Sequence, residues 1–113
     1  MCSQLELNKI LKEVANIYKG TFKGRIRAIY LYGSYARGTN TETSDIDIVA
    51  IVDGNRKELQ QELKYVWDKV ADVSLEYDTI VSPTIIPYDE FENYKDILPY
   101  YKNIVKEGVK ISA

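Results

Sequence analysis

The chain has no histidine, one cysteine, one methionine, one tryptophan and three prolines among 113 residues. Without histidine there is no imidazole general base, no Ser-His-Asp triad and none of the common zinc-binding sets. The single Cys2 excludes an internal disulfide framework and a cysteine zinc site, and it is assigned no role. No apolar run approaches the ~18 residues of a membrane span, and Met1–Ile10 shows no signal-peptide pattern. A cytoplasmic protein with no membrane contact is expected. The formal charge of −2 gives no nucleic-acid footprint, so no direct nucleic-acid binding is expected either. Chemistry is left to carboxylates, hydroxyls, Lys/Arg and a hard metal ion.

What is present fits an ordinary globular chain: 45% hydrophobic and 28% charged residues. The length suits a single domain over residues 1–113, since domains commonly run to about 100–150 residues. Leu7, Ile10, Leu11, Val14, Ile17 and Tyr18 recur at helical spacing and predict a helix over Leu5–Tyr18, with Gly20 and Gly24 bracketing its end. Arg25–Tyr32 is rich in β-formers and predicts a strand that stops at Gly33-Ser34. Tyr35–Ser44 is small and polar, a short helical turn plus loop. Asp45–Val52 predicts a second strand, and Asp53-Gly54-Asn55 a turn. Leu59, Leu63, Val66, Trp67 and Val70 give a helix over Arg56–Ala71 with Trp67 inside. Asp72–Ser82 reads as a third strand. Pro83 and Pro87 flank a short extended piece, Thr84–Ile86. Tyr88–Tyr94 and Pro99–Glu107 predict helices, with Gly108 as a stop. The order implies a small α/β (α+β) fold, with a mixed sheet of three to four strands flanked by helices.

One stretch concentrates the chemistry: Gly33-Ser34, ten residues, then Asp45-Ile46-Asp47. Side chains alternate along a strand, so Asp45 and Asp47 share a face, with Cα atoms roughly 6.6 Å apart. Ile46, Ile48, Ala50 and Val52 take the other, buried face. Two carboxylates this close repel each other unless a cation sits between them. With no histidine or cysteine ligand, that cation is a hard one, and Mg²⁺ is expected. A pair of ions about 3.5–4 Å apart would bridge the acids and substrate phosphates. Gly33 lets the backbone approach a ligand, Ser34 opens a helical turn whose N–H groups suit an anion, and Arg37 lies one turn on. Alone, a Gly-Ser dipeptide is usually a plain turn and Asp-x-Asp a solvated strand. Together they describe a site for a nucleoside triphosphate held by metal.

The stretch GSYARGTNTETSDIDIVAIV resembles the nucleotidyltransferase superfamily that includes DNA polymerase beta and kanamycin nucleotidyltransferase. At this size the chain is similar to the minimal nucleotidyltransferases (MNT). Those are commonly paired with a HEPN-domain protein in prokaryotic toxin–antitoxin operons. The resemblance implies that Gly33 and Ser34 bind the triphosphate and that Asp45 and Asp47 hold two metal ions, Mg²⁺ or also Mn²⁺. It implies a third carboxylate on a later strand. On the expected strand Val73–Ile80, Glu76 and Asp78 share one face; Asp78 is the choice and Glu76 the alternative. The implied activity is AMP transfer from ATP to a tyrosine of a HEPN toxin, in a hetero-oligomer. Two rival readings use the same fold: a nucleotide-binding antitoxin that acts by occupancy, and a regulatory subunit.

Tyr30 and Tyr32 are expected in the core, and Tyr35 either packs or stacks on a base. Arg25 and Arg27 default to solvated charges. Aromatic residues of the C-terminal helices belong to the core or to a partner surface.

Overall fold

In this computed structural model the described residues are 3–111, so Cys2 lies outside them. Helix α1 spans Gln4–Phe22. Ser3 caps it: its hydroxyl accepts from the Glu6 N–H at 3.1 Å, and the Glu6 carboxylate accepts from the Ser3 N–H at 3.3 Å. The helix runs one turn past the expected end. Gly20 sits inside it, and Phe22, fully buried, extends the stripe of Leu7, Ile10, Val14 and Tyr18. Burial of such a side chain is worth about 1.5–3 kcal/mol, more than the ~1 kcal/mol that a mid-helix glycine costs.

A single 3-10 turn at Lys23–Arg25 leads into β1, Ile26–Tyr32. A short helix α2, Ser34–Arg37, follows, then β2 at Ile46–Val52. Helix α3 covers Arg56–Tyr77, capped by the Asn55 side chain, which accepts from the Glu58 N–H at 2.9 Å. Strand β3 is Val81–Pro87, followed by α4 (Tyr88–Tyr94), α5 (Pro99–Glu107) and the two-residue β4 (Val109–Lys110).

Among the described residues the strands form one four-stranded mixed sheet in the order β3-β2-β1-β4. β1 runs antiparallel to β2 and β4, and β2 runs parallel to β3. Its two faces carry separate cores. Ile46, Ile48, Ala50 and Val52 pack with α1 and α3 residues, whereas Val49 and Ile51 pack with Phe91, Tyr101 and Ile104 from α4 and α5. Burial on both faces explains the unbroken apolar run of β2.

The region after Ala71 departs from the sequence expectation. Of the strand expected at Asp72–Ser82, the first six residues are helix and only Val81 and Ser82 belong to a strand, β3. The α3 stripe Leu59, Leu63, Val66, Val70 continues at helical spacing to buried Val73, and Tyr77 packs against the same core. Asp78 then closes the helix in the left-handed conformation (φ 49°, ψ 48°), its N–H bonded to the Ser74 and Leu75 carbonyls. The extended piece expected at Thr84–Ile86 lies within β3, and Pro83 and Pro87, expected to flank it, are part of the same strand. The Ile46 N–H donates to the Ile80 carbonyl, so even-numbered residues of β3 face β2 in the ladder. The prolines take the outward positions of an edge strand, where no ladder donor is lost. Trp67 is also placed differently: it is exposed (45%) on the outer side of α3 rather than buried.

Candidate functional site

The ends of β1 and β2 build the site. Tyr32, the last residue of β1, pairs with Asp47 on β2, and the chain turns sharply at Gly33. Gly33 holds φ 78°, ψ −154°, a conformation that side chains disfavour. A Cβ built on it would stand 2.5 Å from Oδ2 of Asp47. The glycine is needed for its backbone angle and for the close approach of the carboxylate. The Ala36 and Arg37 N–H groups both return to the Gly33 carbonyl at 3.1 Å, fixing the turn of α2 that begins at Ser34. Gly38, also left-handed, ends it.

Asp45 lies one residue before β2 rather than within it and is exposed; Asp47, two residues on, is half-buried. The Asp47 carboxyl is held above its usual range, first by burial and then by the Asp45 charge, with Arg37 opposing both. The two aspartates and Arg37 are therefore electrostatic neighbours, as the spacing implies. Arg37 also bonds Glu107 at 3.5 Å, tying α2 to the end of α5.

The aspartates open onto two different cavities. Asp47 lines one of about 230 Å³ with Tyr32, Ile48, Val49, Thr84 and Tyr100. Asp45 lines another of about 420 Å³, shared with Ser44, Ser74 and Asp78. Asp78 thus lines the same cavity as Asp45, but from the C-terminal cap of α3 and not from a strand. Glu76 is exposed on α3, outside the residues that line either cavity. The expectation that both acids project from a strand beside β2 is corrected by the continuation of α3. On β3 itself, register pairs Asp47 with Ser82 and Val49 with Thr84, so hydroxyls occupy the cross-strand positions next to the aspartates. Among the described residues no group of three His, Cys, Asp or Glu side chains is arranged to hold a metal ion.

The sequence reading overlooked Thr84 and Tyr100. Tyr100, on α5, packs edge-on against Tyr32 with ring centroids 5.5 Å apart and lines the same cavity as Thr84. Tyr30 and Tyr32 are half-buried against the Val49–Ile51 core, as expected, and Tyr32 also walls the cavity. Tyr35 is buried in the core beneath the sheet, which favours packing over base stacking. Below the site, the buried Tyr18 hydroxyl donates to the carbonyls of Ile48 (3.0 Å) and Thr84 (2.8 Å), clamping β2 to β3. Arg25 and Arg27 are not solvated free charges. Arg25 pairs with Glu62, and Arg27 bonds Asp53 at 2.8 Å and covers the Tyr88 ring at 4.4 Å.

The donor set suits a hard ion that takes only two protein carboxylates. Mg²⁺ characteristically binds one or two, completing its shell with water and substrate phosphates. Burial first and the Asp45 charge second raise the Asp47 carboxyl, and a cation bound there would offset both.

Residues 7–111 match the family model described as a nucleotidyltransferase domain. A Methanocaldococcus jannaschii protein with the provisional name protein adenylyltransferase MJ0604 is 36% identical over 100 residues, covering 88% of this chain and 92% of that one. A second from the same organism, provisionally protein adenylyltransferase MJ0141, is 34% identical over 98 residues, covering 80% and 96%. Among solved structures, a toxin–antitoxin with AMP-PNP superimposes with a TM-score of 0.59 at 18% identity, over 88% of this chain and 70% of that one. A mutant of the toxin–antitoxin MntA-HpeT gives 0.57 at 16% identity, over the same shares. At such identities the structures speak for the fold, and they agree with the mixed sheet and flanking helices found here. The matched span contains the Gly33-Ser34 turn, Asp45, Asp47 and every strand that positions them, and the chain belongs to the nucleotidyltransferase family.

Proposed function

We propose that this protein transfers AMP from ATP to a hydroxyl of a partner protein, and that it serves as the antitoxin of a toxin–antitoxin pair. The observation that carries the reading is the packing of the Gly33 backbone against the Asp47 carboxylate. It sets a turn suited to phosphate directly beside a carboxylate suited to metal. Support comes from the relatives named as protein adenylyltransferases and from the toxin–antitoxin structures that share the fold. By the resemblance, the partner is a HEPN-domain toxin and the acceptor a tyrosine. The two chains form a hetero-oligomer in the cytoplasm.

In this reading Gly33 and Ser34 receive the triphosphate through the backbone and the Ser34 hydroxyl, and Arg37 adds a charge-assisted contact to a phosphate oxygen. Asp45 and Asp47 would hold Mg²⁺, or Mn²⁺ in its place, against the phosphates. Bound there, the metal supplies charge neutralisation for the pyrophosphate leaving group and acidity for the incoming hydroxyl. Asp78 is the acid available to supplement the pair, because it shares the cavity of Asp45; Glu76 does not. Thr84 and Tyr32 shape the cavity beside Asp47, where an acceptor hydroxyl has room to approach.

The hydroxyls at Ser82 and Thr84, in place of an acid on β3, favour a second reading: a nucleotide-binding antitoxin that neutralises its partner by occupancy. Co-expression with the toxin separates the two. Under transfer, Asp45→Ala/Asp47→Ala leaves the toxin unlabelled by radioactive ATP and its growth arrest unrelieved. Equal neutralisation by wild type and double variant, with no label in either, selects occupancy.

A further inference from the structure

We propose that Tyr100 is an acceptor for the protein's own nucleotidyl transfer, so that the chain modifies itself in cis. This rests on the transferase reading above. Four observations on α5 and β3 carry it. Tyr100 lines the same cavity as Asp47, which places a phenol beside the metal-binding candidate. The residue is 43% exposed, so it borders both the cavity and solvent. The edge-on contact with Tyr32 orients the ring, whereas Tyr101, one residue on, is buried against Phe91. Arg37, the proposed phosphate contact, is tied by Glu107 to the helix that carries Tyr100, so triphosphate turn and phenol are held by one linkage.

The step balances simply. The Tyr100 hydroxyl oxygen forms a bond to the α-phosphorus of ATP. The bond from that phosphorus to the oxygen bridging to the β-phosphate breaks, and pyrophosphate leaves with the electron pair. The phenolic proton passes to solvent through the open side of the cavity. No atom changes oxidation state, and ATP is the only co-reactant.

A nucleotide fixed on Tyr100 would fill the cavity next to Asp47 and keep a second acceptor out. Self-modification therefore competes with modification of a partner, and a chain without its toxin would become capped.

The test uses the purified full chain with α-labelled ATP and Mg²⁺, followed by intact-mass and peptide analysis, with a parallel tube containing the toxin. The expected result is one added nucleotide monophosphate on the peptide holding Tyr100, at a rate constant unchanged on dilution, and its loss in Tyr100→Phe. A labelled toxin with an unlabelled chain in both tubes overturns self-modification and leaves the transferase reading intact. Label on a different tyrosine overturns it as well. So does label on an Asp45→Ala/Asp47→Ala chain mixed with Tyr100→Phe, which would mean transfer between molecules. If neither chain nor toxin is labelled, the transferase reading itself fails.

Discussion

The backbone of Gly33 lies so close to Asp47 that a single added carbon would stand 2.5 Å from the carboxylate oxygen Oδ2. Strand pairing produces this approach: Tyr32 opposes Asp47, and the next residue must turn across the end of β2. Gly33→Ala meets both a left-handed φ and that oxygen. It is expected to destabilise the fold by about 1–3 kcal/mol, read from urea unfolding. Nucleotide affinity is expected to fall further than stability, because the carboxylate must move to make room. Unchanged stability and affinity would mean that the turn is not held as described.

The raised Asp47 carboxyl links the site to pH. Its protonation is favoured in the folded chain by burial first and by Asp45 second, with Arg37 opposing. A group with a raised folded pKa costs nothing below its unfolded value, here about 3.8, and its penalty grows as pH rises through the folded value. Asp47→Asn is therefore expected to stabilise the metal-free protein at neutral pH. The gain should stay below about 1 kcal/mol, a shift of a few degrees in Tm, since the group is partly solvated. It should vanish as pH falls towards 4. Melting curves of wild type and variant across that range check the sign. A destabilised variant at pH 7 contradicts it.

Beneath the sheet, Tyr18 donates its hydroxyl to carbonyls on both parallel strands, and burial pushes its phenol far above the usual tyrosine range. Tyr18→Phe keeps the ring contact with Phe22 and removes only that donor. The expected cost is about 1–2 kcal/mol by urea unfolding. A neutral result would show that the β2–β3 ladder alone fixes the strands.

Asp78 caps α3 and shares a cavity with Asp45. Asn tolerates the left-handed angle, so Asp78→Asn should fold normally. Its transfer rate should drop by about tenfold or less, against about 100-fold or more for Asp45→Ala/Asp47→Ala, which should also remain folded. Equal losses measured with labelled ATP would give Asp78 the standing of a full metal ligand.

The part of the site legible in the sequence is the part built locally. Gly33 and Ser34 follow a strand immediately, and Asp45 and Asp47 lead into a strand whose apolar run is buried on both faces. Periodicity and turn chemistry are enough to place them. The third strand failed because Val73 and Tyr77 satisfy helical spacing while residues 72–82 also contain β-formers, and docking against α1 settles the competition. The prolines of β3 gave no clue to an edge strand, because their tolerance depends on which way each N points. Thr84 and Tyr100 meet Asp47 only through β2–β3 register and the docking of α5 across the sheet, relationships that no local window contains.

In the proposed reaction the α-phosphate, and not the terminal one, moves to a hydroxyl. The most direct measurement incubates wild type with its toxin, Mg²⁺ and ATP labelled in either the α or the γ position. Protein-bound label is expected from α-labelled ATP alone, with the γ label recovered as pyrophosphate. Stable protein-bound label from γ-labelled ATP, or none from α-labelled ATP while the toxin is nonetheless neutralised, would contradict it.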